Sequence, residues 1–136
     1  MLLIKNVRVV DPVSNTDKVM DIKIKEHLIE EVGENLDAAG CEVIEGSNLV
    51  AAPGLVDTHV HFRDPGFTYK EDIITGAKAA ARGGFTTVVC MANTKPVVDN
   101  IETLEYIQEK GEDTGIHVLQ TAAISKGLAG KELVDM

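Results

Sequence analysis

GLVDTHVHFRDPG, residues 54–66, decides the reading of the chain. Strand side chains alternate between two faces, so Leu55, Asp57, His59, His61 and Arg63 share one face, and Val56, Thr58, Val60 and Phe62 the other. The second set is apolar enough to lie under a covering helix. The first brings two imidazoles and a guanidinium out together, and histidines two positions apart can approach one ion without backbone distortion. Asp64-Pro65-Gly66 stops the strand, because proline lacks a ladder donor and glycine permits a turn. The histidines therefore stand at the strand's carboxyl end, where α/β proteins build their sites.

Downstream of this strand, β signals at about 85–91 and 116–122 alternate with helical stretches, which predicts βαβ units and a parallel sheet. Thr68 followed by Glu71 predicts a capping box, with Ile73, Ile74, Ala77, Ala80 and Ala81 recurring at helical spacing behind it and Gly83 as the C-terminal cap. The second helix is expected to carry Ile101, Leu104 and Ile107 on one stripe and to stop at Gly111. Upstream, LLIKNVRVV, VMDIKIKEHLIEEVG and CEVIEGSNLVAAP predict a small, mostly antiparallel sheet. Within it Ile22 and Ile24 form the buried face, and Asp21, Lys23 and Lys25 the wet one. The composition changes after Pro53, so the expected domains are 1–53 and 54–136. KELVDM reads as the opening of a helix with no body behind it. With a bare edge expected after the third parallel strand, the chain is read as a fragment, or as an N-terminal portion that needs a partner.

The 136 residues are 44% hydrophobic and 26% charged, the composition of a globular domain. A formal net charge of −9 opposes nucleic-acid binding, which needs clustered Lys and Arg. Lys5 interrupts the amino terminus too early for a signal peptide, and no apolar run approaches the ~20 residues of a membrane span, so a cytoplasmic location without membrane contact is expected. Cys41 and Cys90 fall in different elements, which suits buried thiols better than a disulfide.

An HxH pair alone is a weak metal signal; its position at the end of an apolar strand, trailed by an arginine, strengthens it. Arg63 either caps the strand or grips a carboxylate through two parallel hydrogen bonds. Asn93, in MANTKP, ends the next strand at the same edge, although its setting is also ordinary turn chemistry. Asp57, two residues before His59, equally orients a metal-binding histidine or is a filler satisfied by backbone donors. Asp64, Lys95 and Asp99 read as solvated loop residues. Gly83-Gly84 precedes a strand, where a phosphate loop would precede a helix. His117 begins the third strand and His27 lies in the first sheet, so neither is expected at the metal.

DTHVHFRDPGFTYKEDIITGAKAAARGGFTTVVCMANTKP resembles the dihydroorotases of the amidohydrolase superfamily. HxH alone also fits hydantoinases and allantoinases; HxHxRDPG with a downstream MxNTxP is similar to dihydroorotases in particular, with Ala92 where many relatives have proline. The resemblance spans the chain but only about the first third of a family member. It implies an α/β fold: the first three βα units of a (β/α)8 TIM-type barrel, preceded by part of a small β-sandwich, incomplete as it stands. It further implies zinc-dependent, reversible hydrolysis of dihydroorotate to N-carbamoyl-aspartate in pyrimidine biosynthesis. One or two Zn2+ would be held in part by His59 and His61, with the substrate on His61, Arg63 and Asn93. The proton-transferring aspartate and further ligands are expected beyond residue 136, leaving no catalytic residue within this chain and no activity in it alone. A homodimer of the complete protein, and association with aspartate transcarbamoylase, are the implied assemblies. Two alternatives are an allantoinase- or hydantoinase-like amidohydrolase and a non-catalytic subunit supporting that transcarbamoylase; retention of both histidines argues against the latter.

Overall fold

The computed structural model describes residues 1–136, which form two compact units, Met1–Pro53 and Gly54–Met136. In the first, β1 (Leu2–Asp11) pairs antiparallel with β2 (Thr16–Lys25), and β2 with β3 (Leu28–Gly33). On the other edge of β1, β4 (Glu42–Glu45) and β5 (Val50–Ala51) run parallel to it. The sheet is therefore mixed, and the antiparallel expectation holds only on the hairpin side. Residues 34–41 carry the chain back to the start of β1, where the Glu42 N–H donates to Met1 O at 3.0 Å. A strand beginning there can only run parallel to β1.

Asp21 departs from the expected alternation, since it and Ile22 are both buried. The β1–β2 register shifts between Ile4 and Val7, with Asn6 at φ 56°. The Asn6 N–H is lost to the ladder and donates to Asp21 Oδ1 at 2.8 Å, while the Leu36 N–H donates to Oδ2 at 3.0 Å. A carboxylate can be buried when donors satisfy it, and this one closes the irregularity in the hairpin.

In the second unit β6 (Leu55–Val60), β7 (Phe85–Cys90) and β8 (His117–Gln120) form a parallel sheet in that order. The crossovers are α1 (Ile73–Arg82) and α2 (Ile101–Glu112), as the alternation predicts. Ile73 and Ala77 of α1, Val88 of β7 and Ile107 of α2 are completely or almost completely buried together. Phe62 packs on α1 so closely that a Cβ at Gly76 would lie 2.4 Å from its ring.

Three local expectations are corrected. α1 is capped by Asp72 and not by Thr68: the Thr75 N–H donates to Asp72 Oδ1 at 2.8 Å, and the Thr75 hydroxyl accepts from the Asp72 N–H at 3.4 Å. The box thus sits four residues later than the sequence template, and Gly83 caps the far end as expected. On α2, Ile101 is exposed and the buried stripe is Thr103, Ile107 and Gly111. The helix ends at Glu112, one residue past the expected stop at Gly111, whose missing side chain also lets α2 approach β8, where a Cβ would lie 3.0 Å from Val118 Cβ. Residues 131–136 are not helical: Ser125 bridges Leu133, because Gly127 and Leu128 both adopt positive φ and turn the chain back.

No helix is long and apolar enough to cross a membrane. Both cysteines are free; Cys41 is half-buried, contrary to expectation, and Cys90 is buried. Burial pushes the Cys90 thiol from 9.0 to about 11. The folded value is the higher one, so this contribution to stability is complete below pH 9 and is lost as pH rises through about 11. At pH 8 an alkylating reagent should label Cys41 and spare Cys90 until denaturant is added. Equal rates in the folded protein would contradict this packing.

Candidate functional site

The site is built where β6 and β7 end side by side. β6 stops at Val60, and the Met91 N–H donates to Val60 O at 3.0 Å, holding the two chain exits in parallel for one further step. His59 is exposed and His61 half-buried, with ring centroids 5.3 Å apart and planes inclined at 68°. From the exit of β7, Asn93 reaches His61: Asn93 Oδ1 lies 2.9 Å from His61 Nδ1. A carboxamide oxygen can only accept, so His61 Nδ1–H donates, and it is Nε2 that carries the lone pair in the neutral ring. Metal-binding histidines are oriented in this way, by giving their second N–H to a fixed acceptor. Asp57 acts on the backbone, with Oδ1 accepting the His59 N–H at 3.0 Å beside a register shift in β6.

These residues fit part of a zinc site. Two imidazoles on one tetrahedral zinc, with Zn–N bonds of about 2.05 Å, have ring centres about 5 Å apart. The observed 5.3 Å matches that spacing. No group of three or more His, Cys, Asp or Glu is gathered in the chain, so the histidine pair stands without a third protein ligand from residues 1–136.

The shared strand face does not extend to Arg63. The strand has ended at Val60, and Arg63 takes φ 63°, with its carbonyl accepting the Phe67 N–H at 2.9 Å to close a turn. Its backbone is set by this turn and not by the pleat, and it lies outside the hydrogen-bonded His61–Asn93 pair. A left-handed arginine is uncommon and persists only where its surroundings enforce it.

Asp64 overturns the expectation of a solvated loop residue. Its side chain is fully buried and accepts from the Tyr106 hydroxyl and from Lys110 Nζ, both at 2.9 Å. Lys110 also lies over the Tyr106 ring, 4.9 Å from its centroid. Tyr106 first, and then Asp64, raise the Lys110 ammonium above the ordinary lysine range. Tyr106 and Lys110 were invisible as site residues; their i, i+4 spacing on α2 was the available signal, but nothing local pointed to their acid. Asp99 is also held: its carboxylate accepts from the Gly127 N–H at 2.7 Å and from Asn100 Nδ2 at 3.0 Å, and these bonds lower its pKa. Lys95 has an exposed side chain, while its N–H donates to Pro65 O at 3.1 Å, joining the two loops. His117 is exposed at the start of β8, at the opposite end of the sheet from the histidine pair.

Residues 48–136 match the family described as dihydro-orotase-like. A dihydroorotase of Clostridioides difficile (strain 630) is 61% identical over 137 aligned residues, covering 100% of this chain and 32% of that protein. The chain thus spans about a third of that relative's length. Among solved structures, a D-hydantoinase (dihydropyrimidinase) from Thermus sp. superposes with a TM-score of 0.73 at 30% identity, over 92% of this chain and 28% of that one. An atrazine chlorohydrolase from Arthrobacter aurescens TC1, solved with zinc, shares the fold with a TM-score of 0.68 at 18% identity, over 99% and 38%. The α/β architecture of this chain matches the N-terminal region of such proteins.

Proposed function

The chain belongs to the dihydroorotase-like family, and from that premise we propose that it forms the opening part of a dihydroorotase, with the first two zinc ligands and two groups that hold the substrate carboxylate. The reading is carried by one observation: two imidazoles 5.3 Å apart, one with its Nδ1–H fixed on Asn93 and its Nε2 free. His59 and His61 would hold zinc, which when bound supplies Lewis acidity to the ring carbonyl and an acidified water. Asn93 spends its carbonyl on His61 and keeps its NH2 for the substrate, so one carboxamide serves both metal ligand and carboxylate. Arg63 supplies the charge and the paired donors that a carboxylate accepts. In the reaction a water oxygen adds to the ring amide carbon, the C–N bond breaks and the nitrogen takes a proton, giving N-carbamoyl-aspartate; closure of the ring is the reverse.

In this reading residues 1–53 are part of a β-sandwich, and residues 54–136 are three of the eight units of a (β/α)8 barrel. The further ligands and the proton-transferring aspartate lie on other segments of the complete protein. It works in pyrimidine biosynthesis in the cytoplasm as a homodimer, with aspartate transcarbamoylase as the candidate partner. The 136-residue polypeptide alone does not turn over dihydroorotate; activity near that of the complete protein would refute this. The substrate is tested by assaying the complete zinc-loaded protein on dihydroorotate, allantoin and hydantoin. Dihydroorotate should be preferred, and Arg63→Met should raise its KM about 10- to 100-fold, the worth of a charged hydrogen-bonded pair of about 1.5–3 kcal/mol. Hydantoin, which lacks the ring carboxylate, should be indifferent to that change, and a wild-type preference for allantoin or hydantoin would sink the assignment.

A further inference from the structure

We propose that Asp64, Tyr106 and Lys110 form a strap that holds the Arg63 turn in its substrate-gripping conformation, making them positioning residues for the carboxylate subsite. The inference rests on the functional reading above. Asp64 is the residue after Arg63, and its side chain has no contact with solvent. Both donors come from one face of α2, the Tyr106 hydroxyl and Lys110 Nζ, each at 2.9 Å. Lys110 is braced against the Tyr106 ring at 4.9 Å, so the two donors are held relative to each other as well as to the acid.

A peptide plane is rigid, and the Asp64 carboxylate, held at both oxygens, anchors the far end of the plane that joins it to the preceding residue. That residue is Arg63, at φ 63°, a region arginine seldom visits unless its surroundings require it. The far side of the turn is held as well, since the Arg63 carbonyl accepts the Phe67 N–H at 2.9 Å and Pro65 O accepts the Lys95 N–H at 3.1 Å. α2 begins after Asn100, seven positions beyond Asn93 on the same chain exit. A single helix therefore anchors the arginine turn from one side and follows the asparagine loop on the other.

The test is a double-mutant cycle in the complete zinc-loaded protein. Lys110→Met should raise the KM for dihydroorotate about tenfold with kcat changed less than twofold and zinc content unchanged, and Lys110→Arg should recover most of the loss. In an Arg63→Met background Lys110→Met should change KM no further, because the strap acts through Arg63. A purely structural ion pair would give equal effects in both backgrounds, and that result, or an unmoved KM in folded Lys110→Met protein, overturns the proposal. If Lys110→Met does not fold, Tyr106→Phe removes one donor at little structural cost and should raise KM about threefold; no rise overturns the proposal equally. A wild-type protein without dihydroorotate turnover defeats the functional reading itself, whereas normal wild-type turnover with an insensitive strap defeats only this inference.

Discussion

Replacing His61 with alanine should lower kcat on dihydroorotate by at least about 10³-fold and strip zinc from the complete protein, because on the proposed assignment the site loses a ligand and with it the acidification of water that the metal supplies. His59→Ala should behave similarly, since catalytic zinc usually has only three protein ligands to begin with. Asn93→Ala separates support from ligation. It leaves both imidazoles in place but frees the His61 Nδ1–H that now donates at 2.9 Å, so the ring can rotate or change tautomer. Loss of such an outer partner typically costs about 10- to 100-fold in metal affinity or activity. Metal content measured after dialysis against graded zinc gives the order wild type, Asn93→Ala, then the histidine variants. Unchanged zinc affinity in His61→Ala would remove His61 from the ligand set, whatever the kinetics showed.

The histidine pair was legible because residues two apart on an extended chain leave it on the same side, although β6 itself ends at Val60, before His61 and well short of Asp64-Pro65-Gly66. Asn93 was legible only by position, as the residue leaving the adjacent strand; its bond to His61 spans 32 residues and leaves no trace in local pattern. Asp64 was misread for the same reason. A charged residue before proline in a loop is ordinarily solvated, and its partners lie 42 and 46 positions away. Asp21 repeats the lesson in the first sheet, where a register shift that hydropathy cannot register calls for a buried acceptor. The helices were found by periodicity, but their ends and buried stripes were decided by packing. Gly111 resembles a stop, yet serves a close approach to Val118. The β6–β7–β8 order followed from alternation alone, since short crossovers leave parallel neighbours few other arrangements.

Gly66→Ala should be far more damaging than its size suggests, and Gly84→Ala shows why. Both glycines hold positive φ, 91° at Gly66 and 86° at Gly84, so an alanine at either pays the left-handed penalty of roughly 1–2 kcal/mol. At Gly84 nothing lies within 4 Å of the added Cβ, and that penalty is the whole effect. At Gly66 the Cβ would fall 2.0 Å from Lys95 O, a backbone atom that no rotamer change can move aside. Relief requires parting the 64–66 turn from the 93–96 loop, which adds overpacking strain of about 1–3 kcal/mol. The parting also breaks the Lys95 N–H to Pro65 O bond and draws Asn93 away from His61. Gly66→Ala should therefore lose stability by about 3 kcal/mol or more, against about 1 kcal/mol for Gly84→Ala, when urea midpoints are compared. It should also lose zinc affinity, which Gly84→Ala should keep. Equal midpoints for the two variants would mean that the loops yield freely, and the histidine pair would then owe its geometry to β6 alone.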